Sequence, residues 1–333
     1  MRKRSSGEAD QIRSTAVTVG AALAANLVIA AAKAVGGLFT GSPALLSEAA
    51  HSVADSINEI FLFASLRRSG RAPDPVHPFG YGKERYFWSL LAAVGIFVTG
   101  GCFSFYQGVR AWQQHGGESH TGYLIGLAVL GLALLMEGGS LARALVQARA
   151  EHGAGAGLSW IRRAADDPAL RTVLAEDSTA VVGVLLAAGG MLAHLATGDP
   201  RWEAGASLAI GLLLVFVAYR LGREAEQELI GRAVDPALQA ELRATLAAEP
   251  EVDLVTELLT MRLGPGSMLV AARLDLEPGL DSEQVEEVCM RIRATMRDRW
   301  PGLVQIFLDI TDATTQQRRQ AHHQDLRPDE RHS

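Results

Sequence analysis

Cysteine is scarce in this chain of 333 residues, which has only Cys102 and Cys289, far apart in sequence. That excludes a disulfide framework or a cysteine-built zinc site, since both need closely spaced thiols. Aromatic residues account for just 6% of the chain, so aliphatic and small side chains supply most of the 48% that is hydrophobic. Basic residues are not in excess, because the formal charge is −6. A nucleic-acid partner, which would show as a basic patch, is therefore not expected. There is no arrangement resembling a catalytic triad, a P-loop or a dinucleotide fingerprint, so no covalent chemistry is implied and the chain does not read as an enzyme. The basic opening MRKRSSGEADQIR precedes a long apolar run with no convincing cleavage site. That run reads as a first membrane span and not as a removed signal peptide.

What the chain does have is long apolar runs, separated by short polar stretches up to about Arg220. A bilayer-crossing helix needs roughly 20 mostly apolar residues, because every backbone polar group must bond within its own helix. Stretches near Thr15–Phe39, Ser42–Leu66, Tyr86–Val109, Thr121–Leu141, Leu170–Thr197 and Ala204–Tyr219 meet that need. The fold class expected is thus an α-helical membrane protein with six transmembrane helices and a small α+β domain behind them. Basic residues crowd one set of connections: Arg2, Lys3, Arg4 and Arg13; Arg67, Arg68, Arg71, Lys83 and Arg85; Arg143, Arg149, Arg162, Arg163 and Arg171. The alternate connections hold only Arg110 and Arg201. By the positive-inside rule both termini face the cytoplasm, in a multi-pass protein of the bacterial cell (inner) membrane.

Beyond the sixth span the pattern changes. Asp235–Ala248 has helical spacing; Val252–Leu263 and Met268–Leu276 read as strands joined by the turn Gly264-Pro265-Gly266. Asp281 with Gln284 is a capping-box signature for a helix running to about Arg299, and Val304–Ile310 is a third strand. This order predicts helices packed on one sheet face. The expected division is 1–14 cytoplasmic segment, 15–221 transmembrane domain, 222–312 soluble domain and 313–333 disordered polar tail.

Chemistry concentrates in the second and fifth spans. In SPALLSEAAHSVADSINEIFLF, Glu48, His51 and Asp55 share one helical face, with Asn58 just beyond. Carboxylates inside a span cost roughly 2.5–3.5 kcal/mol each even on a gentle scale, so their alignment suggests a metal or proton site. A structural polar stripe is the alternative. His51 and Asp55, four apart, can offer an imidazole nitrogen and a carboxylate oxygen to one ion. In the fifth span Glu176 and Asp177 are neighbours, pointing about 100° apart.

GSPALLSEAAHSVADSIN and HPFGYGKERYFWSL closely resemble the second span and following loop of the cation diffusion facilitator family. The resemblance implies six spans, cytoplasmic termini, a ferredoxin-like cytoplasmic domain and a homodimer. It also implies exchange of Zn²⁺ or a related divalent ion for protons by alternating access, with the ion bound by pairs of residues four apart on spans two and five. His51 and Asp55 match the first pair, and Asp177 matches the aspartate of the second. The remaining position is Val173, which cannot bind metal, so Glu176, water or a residue of another span must complete the set. An oxygen-rich set of this kind also suits Mn²⁺, Fe²⁺, Co²⁺ or Ni²⁺. A membrane-anchored metal sensor would keep the same ligands, but the soluble domain has no histidine between Leu221 and Gln320 to report occupancy.

Other polar residues have plainer readings. Asp74 and His77 resemble an accessory metal site whose third position is Tyr81 here, though a turn-rich connector explains them as well. Asn26 is expected to bond a neighbouring helix, Lys33 to snorkel, and Glu137 to pack closely with a buried partner. His194 reads as interfacial, and His322 and His323 as solvated.

Overall fold

The structure, a computed structural model, describes residues 24, 26–113, 120–151 and 168–314. The expected segment 1–14, the start of the first span, and nearly all of 313–333 with His322 and His323 lie outside the described residues. Two compact units separate: residues up to Ala64 with Trp88–Arg223, and Ser65–Phe87 with the residues from Glu224 onward.

The first unit is a helical bundle. Its elements are α1 (Asn26–Thr40), α2 (Pro43–Ser69), α3 (Glu84–Gln113), α4 (His120–Glu151), α5 (Pro168–Thr197) and α6 (Arg201–Ile230). Among the described residues α3, α4, α5 and α6 are long and apolar enough to cross a membrane. The chain is therefore a helical membrane protein, with a small sheet region after the bundle. α2 is as long at 27 residues, but Glu48, Asp55 and Glu59 interrupt its apolar run. Leu45, Leu130, Val184, Met191, Ile210 and Leu214 fill the bundle interior, while Leu132, Leu135, Leu185, Leu212 and Phe216 are exposed on its outside. Apolar side chains on the outer surface are what a lipid-facing bundle requires.

Short connections close one end of the bundle. Gly41 and Gly198 take φ of 73° and 72°, where a side chain would be strained, and turn α1 into α2 and α5 into α6. α3 contains a π-helical stretch, Ile96–Cys102, in which Thr99 donates to the Gly95 carbonyl at 2.6 Å. The sixth apolar run ends near Tyr219, yet its helix continues to Ile230, past the expected boundary at 222. Leaving the apolar stretch does not end a helix when the following residues, RLGREAEQELI, are themselves good helix formers.

The second unit contains α7 (Pro236–Ala247), β1 (Val252–Gly264), β2 (Ser267–Leu276), α8 (Ser282–Arg299) and β3 (Leu303–Ile310). β1 and β2 form an antiparallel hairpin, and the crossover through α8 makes β3 parallel to β2, giving the order β1-β2-β3. Alternation along β2 buries Met268, Val270, Ala272 and Leu274 against Leu242 and Leu246 of α7 and Val288, Ile292 and Met296 of α8. Asp281 caps α8 reciprocally with Gln284, both bonds 2.9 Å.

Across the other strand positions, Leu259 pairs with Ala271 and Ala271 with Phe307, and both large side chains are exposed. Next to that row Arg273 bridges Glu257 at 2.9 Å and Asp309 at 2.8 Å. The guanidinium hydrogen bond holds the Asp309 carboxyl below its ordinary range. The Ser65–Phe87 segment belongs to this unit: Lys83 donates to the Leu229 carbonyl at 3.3 Å, and Gly82 lies against the backbone of Leu263 and Gly264.

Candidate metal centre

α2 carries a line of small and polar residues through the bundle, and local bonds make that tolerable. Ser47 and Ser56 donate back to the carbonyls of Pro43 and Ser52, at 2.8 and 3.0 Å. His51 sits on this line almost wholly buried, its Nε2 3.4 Å from Asp55 Oδ2. Neither ring nitrogen makes a hydrogen bond, which is unusual for a buried imidazole. One turn further, Asn58 Nδ2 donates to Glu176 Oε1 at 2.9 Å. α5 thus presents Glu176 to the same face of α2 that carries Asp55.

Asp177 faces elsewhere. Its Oδ2 accepts from Ser140 Oγ of α4 at 3.0 Å, and the charge acting on it is that of Arg143. Adjacent residues of a helix diverge by about 100°, and here the two carboxylates serve different neighbours. The structure therefore pairs His51 with Asp55 on α2, turns Glu176 toward Asn58 of the same helix, and turns Asp177 toward α4. Val173 lies in α5, where the sequence offers no ligand. Among the described residues no three histidine, cysteine or carboxylate side chains are close enough to share an ion in this arrangement. What the geometry provides is an imidazole, an adjacent carboxylate and a second carboxylate held by an amide: the donor types a borderline divalent ion accepts.

A second network was not evident from sequence. Lys33 does not snorkel: it is fully buried, donating to Glu48 Oε2 at 2.9 Å, Ser52 Oγ at 3.0 Å and Glu137 Oε1 at 2.7 Å. One ammonium thus joins α1, α2 and α4 and compensates two carboxylates that hydrocarbon would not tolerate alone. Glu137 has the buried partner its setting suggested. Glu48 is also closed over by α5, where a Cβ at Gly183 would overlap Glu48 Oε1. Lone opposite charges in three apolar runs were the available signal; which of them met was not. Nearby, Asn26 donates to Glu59 at 2.6 Å, the interhelical bond expected of it.

In the Ser65–Phe87 segment, Asp74 is engaged by its own loop. It accepts from Tyr81 Oη at 2.5 Å and from the amides of Val76 and His77 at 2.9 and 2.7 Å. The tyrosine bond, with the amide bonds behind it, holds the Asp74 carboxyl below its usual range and raises the Tyr81 hydroxyl. His77 Nδ1 stands 3.6 Å from Asp74, and its ring is 4.3 Å from that of Tyr81. This is the geometry of a rigid turn.

The family model for the cation efflux transmembrane domain matches residues 19–230. The chain is similar to metal tolerance protein C4 of Arabidopsis thaliana, 35% identical over 71% of this chain and 51% of that protein. It is similar to the human proton-coupled zinc antiporter SLC30A9, mitochondrial, at 31% identity over 72% of this chain and 42% of the relative. A cation-efflux pump FieF of Salmonella newport is 25% identical over 79% of this chain and 82% of its own length. The chain spans about half the length of the first two relatives.

Proposed function

The chain belongs to the cation efflux family, and from that premise we propose that it moves divalent metal ions, zinc first, across a membrane in exchange for protons. The observation that carries this is His51, buried in an apolar bundle with both ring nitrogens unpartnered, beside Asp55. An ion drawn to that pair would recruit Glu176, which waits on Asn58. Binding needs a neutral imidazole and ionised carboxylates, so protons and metal compete for one set of atoms. Alternating exposure of that set to the two sides turns the competition into exchange. No bond to carbon, phosphorus or nitrogen changes; the protein acts as a carrier. The relatives' names, a proton-coupled zinc antiporter and metal tolerance protein, support this reading.

Six spans with cytoplasmic termini and a ferredoxin-like domain remain our reading of the architecture. We take the protein to be a homodimer, with the exposed Leu259–Ala271–Phe307 row of the sheet as its natural contact. Asp177 joins the set if α5 rotates during the transport cycle; Glu176, bonded to Asn58 of α2, is our candidate for the remaining ligand.

Purified protein in vesicles tests the proposal by zinc flux against an imposed pH gradient, with Mn²⁺, Fe²⁺, Co²⁺ and Ni²⁺ compared. His51→Ala and Asp55→Ala should each reduce zinc flux by more than about a hundredfold, beyond the usual effect of removing a supporting residue. Glu176→Gln should raise the zinc KM more than Asp177→Asn does. Wild-type flux in both α2 variants would sink the assignment.

A further inference from the structure

The end of the bundle closed by the Gly41 and Gly198 turns holds a polar cluster remote from His51 and Asp55. His194 of α5, expected at an interface, is buried there, as are Glu203 of α6, Tyr123 of α4 and Ser42 just before α2. His194 Nδ1 lies 2.6 Å from Glu203 Oε1 and 2.5 Å from Tyr123 Oη, which also stands 3.1 Å from Nε2. Ser42 Oγ donates to the other oxygen of Glu203.

A single ring nitrogen with two oxygens this close must place its hydrogen carefully. If Nδ1 carries a hydrogen, it donates to the Glu203 carboxylate, and Tyr123 turns its own hydrogen away. If Nδ1 is bare, its single lone pair accepts one hydrogen, from a protonated Glu203 oxygen or from Tyr123. The cluster thus has alternative proton placements within one heavy-atom arrangement. Among the described residues the charged and titratable groups facing it are few. α4 contributes Tyr123, α5 His194 and α6 Glu203, while α1 and α2 bring only hydroxyls, those of Thr40 and Ser42. Arg201, nearby in sequence, is exposed and lies over the Trp112 ring of α3. Asp199, in the turn, accepts from the Arg201 amide.

From Ser42 the polar line of α2 leads inward. Ser47 bonds Ser207, which donates to the Ser104 carbonyl at 3.0 Å; next come Glu48 with Lys33, then Ser52 and His51. Along it Ser104 Oγ, Glu48 Oε1 and both His51 nitrogens are buried without a hydrogen-bond partner. At 1.5 Å per residue the longer steps along it, Ser42 to Ser47 and Glu48 to Ser52, rise about 7.5 and 6 Å, spans that chains of one or two waters bridge.

We propose that His194 and Glu203 form a proton-loading station for transport, taking a proton from water at the Gly41–Gly198 end and passing it along the polar face of α2. The proposal rests on the exchange of metal for protons proposed above. The proton is taken up from water between Nδ1 and Oε1 and released inward unchanged in number, so no other reactant is needed. As positioning groups remote from the metal, these residues should govern how flux responds to pH and leave zinc binding alone.

Full-length protein in vesicles, with zinc flux and a pH-sensitive dye read together, tests this. His194→Gln and Glu203→Gln should lower proton-driven zinc flux at least about tenfold, in the range of a lost proton-transfer group. Stimulation by acid at the Gly41–Gly198 end should disappear, with the zinc KM unchanged. Glu203→Asp should restore part of both. Tyr123→Phe, the mildest change, should move the pH of half-maximal flux by about half a unit or more. A cluster that merely braced the helices would slow flux equally at every pH, and that outcome, or an unshifted profile in Tyr123→Phe, overturns the proposal. Zinc flux without any proton movement in the unaltered protein would instead defeat the exchange reading itself.

Discussion

The two units place their charges in opposite ways. In the bundle Lys33, Glu48, His51, His194 and Glu203 are buried, and their partners come from other helices. In the sheet unit the cluster behind β2 is aliphatic with methionine, the buried carboxylates Glu228 and Asp275 lie outside that cluster, and the ion pairs of Arg273 and Arg291 lie at the surface. A core made only of packing can hold a shape. One that spends its interior on ionisable groups is set up to bind and release charge, and its stability depends on each partner being present. The residues proposed to bind the ion belong to the bundle.

The sharpest way to break this contrast is at Lys33. Lys33→Met leaves Glu48 and Glu137 without their ammonium and should destabilise the bundle by about 3–5 kcal/mol, the cost of orphaning a buried charge. Thermal unfolding in detergent would show it, and Lys33→Met with Glu48→Gln should recover part of the loss. A single variant as stable as the parent would mean the network contributes little.

A cavity in the sheet unit makes the complementary test. Leu274, fully buried against both helices, should cost about 2–5 kcal/mol on replacement by alanine, read as a lowered unfolding transition. The zinc KM should not move, because nothing in the metal centre depends on that core. A changed KM would join the two regions functionally in a way their interiors do not suggest.

The smallest effect is expected at Arg273. Asp309 titrates low because Arg273 bonds its ionised form, so that contact favours the folded state above the ordinary aspartate range and is lost as pH falls through the lowered value. Arg273→Gln should return the Asp309 titration, followed by NMR, toward its ordinary position. Both side chains are exposed, so the unfolding temperature at neutral pH should stay where it was.

Much of this was legible from residues near one another in sequence. Apolar run lengths located the helices, the Gly264-Pro265-Gly266 turn located the hairpin, and Asp281 with Gln284 predicted a cap that the structure contains. His51 and Asp55 were visible because a helix fixes the direction of residues four apart. What escaped depends on rotation and long-range packing. Whether Glu176 or Asp177 meets α2 is decided by how α5 is turned about its axis, which one sequence does not state. Lys33 reaches Glu48 across 15 residues and Glu137 across 104, and His194 finds Tyr123 across 71. Apolar surroundings advertised each lone charge without naming its mate.

The ammonium that ties three helices also imposes an order on biosynthesis. Lys33 leaves the ribosome first, Glu48 follows 15 residues later, and Glu137 follows Lys33 by 104 residues. At the usual pace of about 5–20 residues per second, the second carboxylate arrives roughly 5–20 s after the lysine. Through that interval Glu48 is the one carboxylate of the pair already made that can meet the ammonium. When α4 emerges it brings a carboxylate that has no partner of its own and must find a hairpin already in the bilayer. The three-helix tie can therefore be completed only once α4 has been made.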